Sequence, residues 1–334
     1  NYAAMLAAFP DVPGFSYRED EVVSSAMPLF HIAGINVGLA ALSQGCTVIP
    51  MGDFEPPAFL HSIGKQRINH AFLAPSMIAS LLQAQSIAKP DFSSLRTIAY
   101  GAAPISGDVL QRAQQRFGCE FVQLYGMTES TGAGTFLSNE AHALADKQGS
   151  CGVPWPGMRM KVIDTDGRTL PAQSLGEICM QSEFVTPGYR NREDATAEAI
   201  RDGWLLTGDA GYFDQDGFLF IQDRMKDMII SGGENVFPTE VENAIAGCPG
   251  IADVAVIGVP SDAWGEEVKA IVVIEEGANV DPARIIEWTK SRIASFKVPK
   301  SVDFTDALPR NAAGKILKRE LRAPYWKGRS RQVN

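Results

Sequence analysis

A chain of 334 residues with 45% apolar content is long enough for two packed domains, and a formal net charge of −9 argues against broad attraction to nucleic acid or an anionic membrane surface. Its five cysteines, Cys46, Cys119, Cys151, Cys179 and Cys248, are far apart, odd in number and without a CxxC pair. They indicate neither a disulfide framework nor a zinc site, and a reducing, cytoplasmic compartment is expected.

The opening residues, NYAAMLAAFPD, carry neither an initiator methionine nor a basic stretch, so a fragment without a signal peptide is expected. The longest apolar stretch, Met27 to Leu42, is broken by His31 and Asn36. It falls short of the roughly 20 residues that cross a bilayer, so no integral membrane contact is expected.

From Val22 to about Gln123, short β-rich runs alternate with helical patterns, the signature of an α/β fold with a parallel sheet and covering helices. Strands are predicted for VVSSAM from Val22, CTVIP from Cys46, HAFLA from His70, TIAYG from Thr97 and EFVQLYG from Glu120, with helices beginning near Phe30, Pro56, Pro75 and Ser106. Ser106 is the expected N-cap of DVLQRAQQRFG, and Gly118 its end. Between Cys151 and Asp223, Asp-Gly and Pro-Gly turns such as DTDGRTL and FDQDGFLFI predict antiparallel hairpins in a small β subdomain.

A compact α+β unit is expected beyond: helix from Pro238 to Ala246, strands near Val254 to Val259 and Val268 to Ile274, and a helix from Pro282 to Ile293 capped by Asp281. The expected organisation is an α/β part over 1–150, a β-rich part over 151–223, a boundary at 224–227 and a C-terminal α+β domain over 228–334.

Three segments can carry chemistry. QLYGMTES sets an aromatic, a glycine, a hydroxyl and a carboxylate at the C-terminal end of a predicted parallel strand, where open α/β sheets bind ligands. Thr128 can donate to a phosphate oxygen, Glu129 can ligate Mg2+ and Tyr125 offers a stacking face. A strand followed by a helix capped by Thr128 or Ser130 explains the same letters. In GWLLTGDAGYFDQDGFLFIQDRMKDMIISGGENVFPTEVE, the Asp209 carboxylate matches the paired hydroxyls of a ribose, and the Arg224 guanidinium can bind ribose or phosphate oxygens. A turn aspartate and a surface ion pair are the plainer readings. In LPRNAAGKILKREL, Lys315 follows a glycine, and one positioned ammonium can neutralise charge on a transferring phosphoryl group; most single lysines in basic tails are simply solvated.

Taken in order, YGMTES, GEICMQSEFVTPGY, TGD, DRMKDMIISGGENVFPTEVE and PRNAAGKILKREL, together with PLFHIAG and YGAAP, resemble the adenylate-forming superfamily of acyl-CoA synthetases, luciferases and peptide-synthetase adenylation domains. The resemblance covers nearly the whole chain to about Arg322. It implies activation of a carboxylic acid with ATP as an acyl-AMP and transfer to coenzyme A, with AMP and pyrophosphate released and Mg2+ as metal. By the same resemblance, Tyr125 and Gly126 with Gly101, Ala102, Ala103 and Pro104 would line the adenine and acyl pockets. Thr128 would contact the α-phosphate, Glu129 would ligate Mg2+, Asp209 with Arg224 would clasp the ribose, and Lys315 would reach the acyl carboxylate and α-phosphate. Lys226 and Asp227 would lie at a hinge, and Gly232, Gly233 and Glu234 would approach the pantetheine of CoA. His31, Ile35 and Gly132 would border the acyl pocket; a structural histidine explains His31 nearly as well.

The family also carries a Ser/Thr/Gly-rich phosphate loop ending in a PKG-like sequence, and an N-terminal subdomain, which these 334 residues do not supply. This polypeptide alone is therefore expected to turn over poorly. Ala313, where a hydroxyl residue is common, and Leu206, where a polar one is, are lesser departures. PLFHIAG holds no aspartate for a substrate ammonium, which favours a plain carboxylic acid, and small residues in YGAAP and STGAG leave apolar room for a fatty acid. An aryl carboxylate, or a non-catalytic homologue that keeps only a nucleotide or CoA surface, are the competing readings. The basic run Lys315, Lys318, Arg319, Arg322, Lys327, Arg329 and Arg331 is expected to be a solvated helix and tail.

Overall fold

A computed structural model describes residues 1–84, 90–311 and 315–329. Ala313 and Arg331 lie outside the described residues. The chain divides into two compact units, one of residues 1–207 and 211–221, the other of 208–210 and 222–334.

The first unit is organised by a seven-stranded sheet: β1 (Val22–Ser25), β2 (Thr47–Pro50), β3 (His70–Leu73), β4 (Thr97–Gly101), β5 (Glu120–Tyr125), β6 (Thr135–Leu137) and β7 (Val153–Pro154), in the order β2-β1-β3-β4-β5-β6-β7. The first five are parallel and the last two antiparallel. Every residue of β3 and β4 is buried, as central parallel strands covered on both faces require. One apolar cluster gathers Phe15, Val23, Phe72, Ala99 and Val122; another gathers Phe59, Ile63, Ala71, Ile98 and Phe121. Alternate residues of a strand thus enter different clusters, the period of 2 that a strand imposes.

The helices start where the sequence supplies caps. Ser106 accepts from the Val109 amide at 3.3 Å and Gly118 ends Gly107–Phe117 in the left-handed region. The helix expected near Phe30 runs Ile32–Ser43, because the His31 ring caps it, accepting from the Ala33 amide at 3.2 Å. A further sheet joins β8 (Arg159–Ile163), β9 (Gly176–Gln181), β10 (Ile200–Arg201), β11 (Trp204–Phe213) and β12 (Leu219–Arg224). Asp164 and Asp214 tighten its predicted Asp-Gly turns by accepting from amides two and four residues on. Lys147, 7% exposed at its side chain, meets Asp214 at 2.8 Å and Asp216 at 2.5 Å, and these carboxylates raise its ammonium.

The second unit contains β13 (Ile229–Ser231), β14 (Glu234–Val236), β15 (Ile251–Ser261), β16 (Gly265–Ile274) and β17 (Ser301–Phe304), in the order β14-β13-β16-β15 with β17 beside β16. Val254, Val256, Val268, Ala270 and Val272 face one way and pack with Val241, Ile245 and Ile285 of helices Pro238–Ala246 and Pro282–Lys290. Ala255, Ile257, Val259 and Ile271 face the other and pack with Leu308, Ile316, Leu321 and Tyr325. Asp281 caps its helix, accepting from the Arg284 amide at 2.8 Å; the helix stops at Lys290, three residues before the predicted end.

The basic run is less solvated than its composition suggests. Lys318 meets Glu242 at 2.8 Å and Arg322 meets Asp227 at 3.0 Å, each of the four side chains under a fifth exposed. The expectation of a solvated face fails there because each cation meets a carboxylate of its own unit.

Candidate active site

In the first unit, β4 and β5 run parallel with Gly101 opposite Leu124, so YGAAP and YGMTES leave the sheet at the same edge. The alternative of a capped helix after β5 does not hold: Thr128–Ser130 is a single 3-10 turn, and the chain returns as antiparallel β6. Thr131 at φ 53° and Gly132 at φ 74° turn it back. Gly126 allows this fold-back, since a Cβ there would stand 2.2 Å from the Gly132 carbonyl oxygen. Gly132 in turn packs against Asn36, whose side-chain amide donates to the Thr131 carbonyl at 2.5 Å. His31 caps that helix and Ile35 lies within it, while the helix residues that meet the loop at Gly132 and Thr131 are Ile32 and Asn36.

Thr128 is exposed and Glu129 half-buried. The Tyr189 hydroxyl donates to Glu129 Oε1 at 2.7 Å, and the Thr186 amide donates to the Glu129 carbonyl at 2.7 Å. Burial first, and then Glu129, push the Tyr189 phenol up to about 12. Among the described residues no group of three or more His, Cys, Asp or Glu could hold a metal. A lone carboxylate suits Mg2+, which draws its other ligands from phosphates and water.

Ala102 has φ 68°, a left-handed backbone that costs a residue with a side chain about 1–2 kcal/mol. Ala102→Gly is expected to stabilise the first unit by about 0.5–1 kcal/mol, allowing for glycine's own entropy cost, as read from the denaturant midpoint of unfolding. A lower midpoint would show that no strain is held there.

In the second unit, Asp209 is 7% exposed and follows Gly208, whose φ of 70° interrupts the strand geometry of β11. Arg224 Nε lies 3.3 Å from Asp209 Oδ1. Lys315 belongs to the same constellation: desolvation and then the Arg224 cation lower its ammonium, while Asp209 and Asp227 act against that lowering and Lys226 adds to it. The Lys315 amide donates to Asn311 Oδ1 at 2.9 Å, and the Asn311 amide donates to the Lys315 carbonyl at 2.9 Å. Lys226 and Asp227 form the 3-10 turn Met225–Asp227. Gly232 and Gly233, with φ of 63° and 87°, make the two-residue turn between β13 and β14, with Ser231 opposite Glu234. The Trp264 ring lies so close to Gly232 that an added Cβ would meet it at 2.6 Å.

Sequence reasoning missed Tyr189, Asn36, Asn311 and Arg322 as partners of these groups. Tyr189 closes the motif GEICMQSEFVTPGY and was within reach of a reading that asked what its terminal tyrosine binds. Contacts such as Asn36 to Thr131 leave no local signal.

The AMP-binding enzyme family pattern matches residues 1–190, and that of the AMP-binding enzyme C-terminal domain matches residues 240–315. The chain belongs to the AMP-binding enzyme family. It is 39% identical over 319 residues to the fatty acid–[acyl-carrier-protein] ligase ScoC of Streptomyces coeruleorubidus, covering 95% of this chain and 62% of that protein. It is 43% identical over 307 residues to the feruloyl-CoA synthase of an Amycolatopsis species, covering 92% and 62% respectively. The O-succinylbenzoate coenzyme A synthetase of Bacillus subtilis, solved in complex with ATP and magnesium ion, superposes with a TM-score of 0.84 at 32% identity, over 95% of this chain and 64% of that one. The chain thus spans about three fifths of the length of the curated relatives it matches. Thr128, Glu129 and Tyr189 of this AMP-binding family member fall inside the first matched range and Lys315 closes the second; Asp209, Arg224 and the turn Met225–Asp227 lie between them. No helix of the described residues is long and apolar enough to cross a membrane.

Proposed function

We propose that the protein of which these residues form part activates a carboxylic acid, a fatty acid by preference, as its acyl-AMP and transfers the acyl group to the thiol of coenzyme A. The observation that carries this reading is the pairing of a nearly buried carboxylate, Asp209, with the Arg224 guanidinium at 3.3 Å. A carboxylate of that kind accepts from both hydroxyls of a ribose, the guanidinium beside it suits a ribose or phosphate oxygen, and the Lys315 ammonium, which senses both charges, would suit the acyl carboxylate.

A free carboxylate is anionic and has no good leaving group. Attack of its oxygen on the α-phosphorus of ATP forms the acyl-phosphate bond and expels pyrophosphate, giving a mixed anhydride. A thiolate then attacks the carbonyl, the C–O bond to AMP breaks and a thioester forms. In-line displacement needs positioning and charge neutralisation more than proton transfer. Lys315 would meet the negative charge gathering on the transferring group. Thr128 would donate to an α-phosphate oxygen. Glu129, steadied by Tyr189, would hold a Mg2+ whose charge offsets that of the phosphates. Tyr125 and Gly126 with Gly101, Ala102, Ala103 and Pro104 would bound the adenine and acyl pockets, and the Gly232–Gly233 turn with Glu234 would meet the pantetheine. The acidic charge, the scattered cysteines without a CxxC pair and the lack of an aspartate in PLFHIAG support a cytoplasmic enzyme acting on an uncharged chain or ring rather than an amino acid.

Calorimetric titration tests this directly. The 334-residue chain is expected to bind AMP, and Asp209→Ala to weaken it about 10- to 100-fold, the value of hydrogen bonds to a charged acceptor. Equal affinity in the variant, or no binding by the parent chain, would remove the assignment. Competition between alkyl and aryl acyl-adenylate analogues then separates the fatty-acid reading from the aryl one.

A further inference from the structure

Beyond Ile316 the chain enters the short helix Lys318–Arg322, held against its own unit on both sides. Lys318 Nζ meets Glu242 Oε1 at 2.8 Å before Arg322, and after it the Trp326 indole donates to the Gly258 carbonyl at 3.0 Å and the Tyr325 hydroxyl to Asp303 Oδ2 at 2.5 Å. From this anchored helix the Arg322 fork reaches the turn Met225–Asp227. Nη2 lies 3.0 Å from Asp227 Oδ1 and Nη1 donates to the Lys226 carbonyl at 3.2 Å, with the two side chains only 14% and 12% exposed. None of the three turn residues is buried, so the turn has little packing of its own to hold its shape.

We propose that Arg322 is a positioning residue that clamps the turn Met225–Asp227, gripping one carboxylate and one main-chain carbonyl with a single guanidinium, so that this turn changes its backbone torsions only when the fork lets go. A planar fork with both ends engaged fixes direction as well as distance, which a point charge does not. The helix bearing Arg322 follows Lys315 by a few residues, and the charges of Lys226 and Asp227 both act on that lysine. Clamp and lysine therefore share one arm of the chain, and the turn's position bears on the lysine's surroundings. The functional meaning of the clamp rests on the proposed reading of the turn as a hinge between two half-reactions; the clamp itself does not.

Amide hydrogen exchange on the 334-residue chain tests it. The Met228 amide donates to the Arg224 carbonyl at 3.1 Å across the turn and reports its opening. Arg322→Ala and Asp227→Asn are each expected to speed exchange at Met228 at least about tenfold, with β15 amides unchanged, and Arg322→Lys to fall between, since an ammonium keeps the ion pair but not the fork. Unchanged exchange at Met228, or equal acceleration along β15, would overturn the proposal, the latter by making Arg322 a general stabiliser. Should Arg322→Ala not fold, Asp227→Asn carries the same expectation with Arg322 intact. Loss of the AMP-binding reading leaves these exchange rates untouched, and the reverse also holds.

Discussion

Replacing Glu21 with alanine should cost the first unit about 3 kcal/mol, the loss expected when one partner of a buried ionic group is removed, and lower its unfolding midpoint by about 6–12 °C. Glu21 sits just before β1 with a side chain 6% exposed. Its Oε2 accepts from the Arg18 amide at 2.8 Å and meets His70 Nε2 at 3.0 Å, and its Oε1 pairs with Arg96. His70 opens β3 and Arg96 precedes β4, so one carboxylate ties together the entry ends of three strands.

The same group sets a pH dependence. Burial alone would raise the Glu21 carboxyl, but the Arg18 amide, His70 and Arg96 together hold it below the usual carboxylate range. Burial lowers the His70 imidazole, against the opposing pull of Glu21 and with Arg96 adding to the effect. Both folded values are depressed, so the unfolded chain binds more protons and stability falls as pH falls. The His70 contribution is full above the ordinary imidazole value and is lost on acidification towards its lower folded value. The Glu21 contribution is lost further down, below the ordinary carboxylate value. Thermal melts from pH 8 to 3 should therefore decline in two stages, and His70→Gln should diminish the upper one, leaving the share of His142, which burial also lowers. A midpoint indifferent to pH over this range, or unmoved by Glu21→Ala, would refute the account.

Gly126→Ala is expected to be the most damaging small change at the site. The added methyl carbon would stand 2.2 Å from a main-chain oxygen and 2.5 Å from the carbonyl carbon of Gly132, neither of which can swing aside as a side-chain tip can. Such overpacking costs about 1–3 kcal/mol. The loop from Met127 to Thr131 must shift, carrying Glu129 away from Tyr189. The phenol, pushed up to about 12 by burial and then by Glu129, should lose the part of its elevation that Glu129 supplies and titrate lower than in the parent protein, as followed by ultraviolet titration. An unaltered phenol titration together with an unaltered denaturation midpoint would mean that the fold-back is softer than its geometry indicates.

Most of the fold was legible because it rests on local signals. Short apolar, β-rich runs marked β3, β4 and β15; Ser106, Asp281 and Gly118 marked helix ends; Asp-Gly pairs marked hairpins. Thr128 and Glu129 were visible for the same reason, as unusual letters at a strand end. The antiparallel return through β6 was not, since it depends on Gly126 meeting Gly132 and on Asn36 reaching Thr131 from a helix 95 residues earlier. The pairing of Lys318 and Arg322 was hidden likewise. Their partners Glu242 and Asp227 are remote in sequence, and a run of cations reads as solvated until its counter-charges are found.

The indole of Trp264 offers a way to watch the glycine turn in solution. It is 52% exposed, and among the described residues no other tryptophan is one of the exposed large apolar side chains. Its carbonyl accepts from the Gly232 amide at 2.9 Å. Collisional quenchers should therefore extinguish this emission first, and a molecule settling on the turn should shield it, giving an intrinsic optical signal without any attached dye.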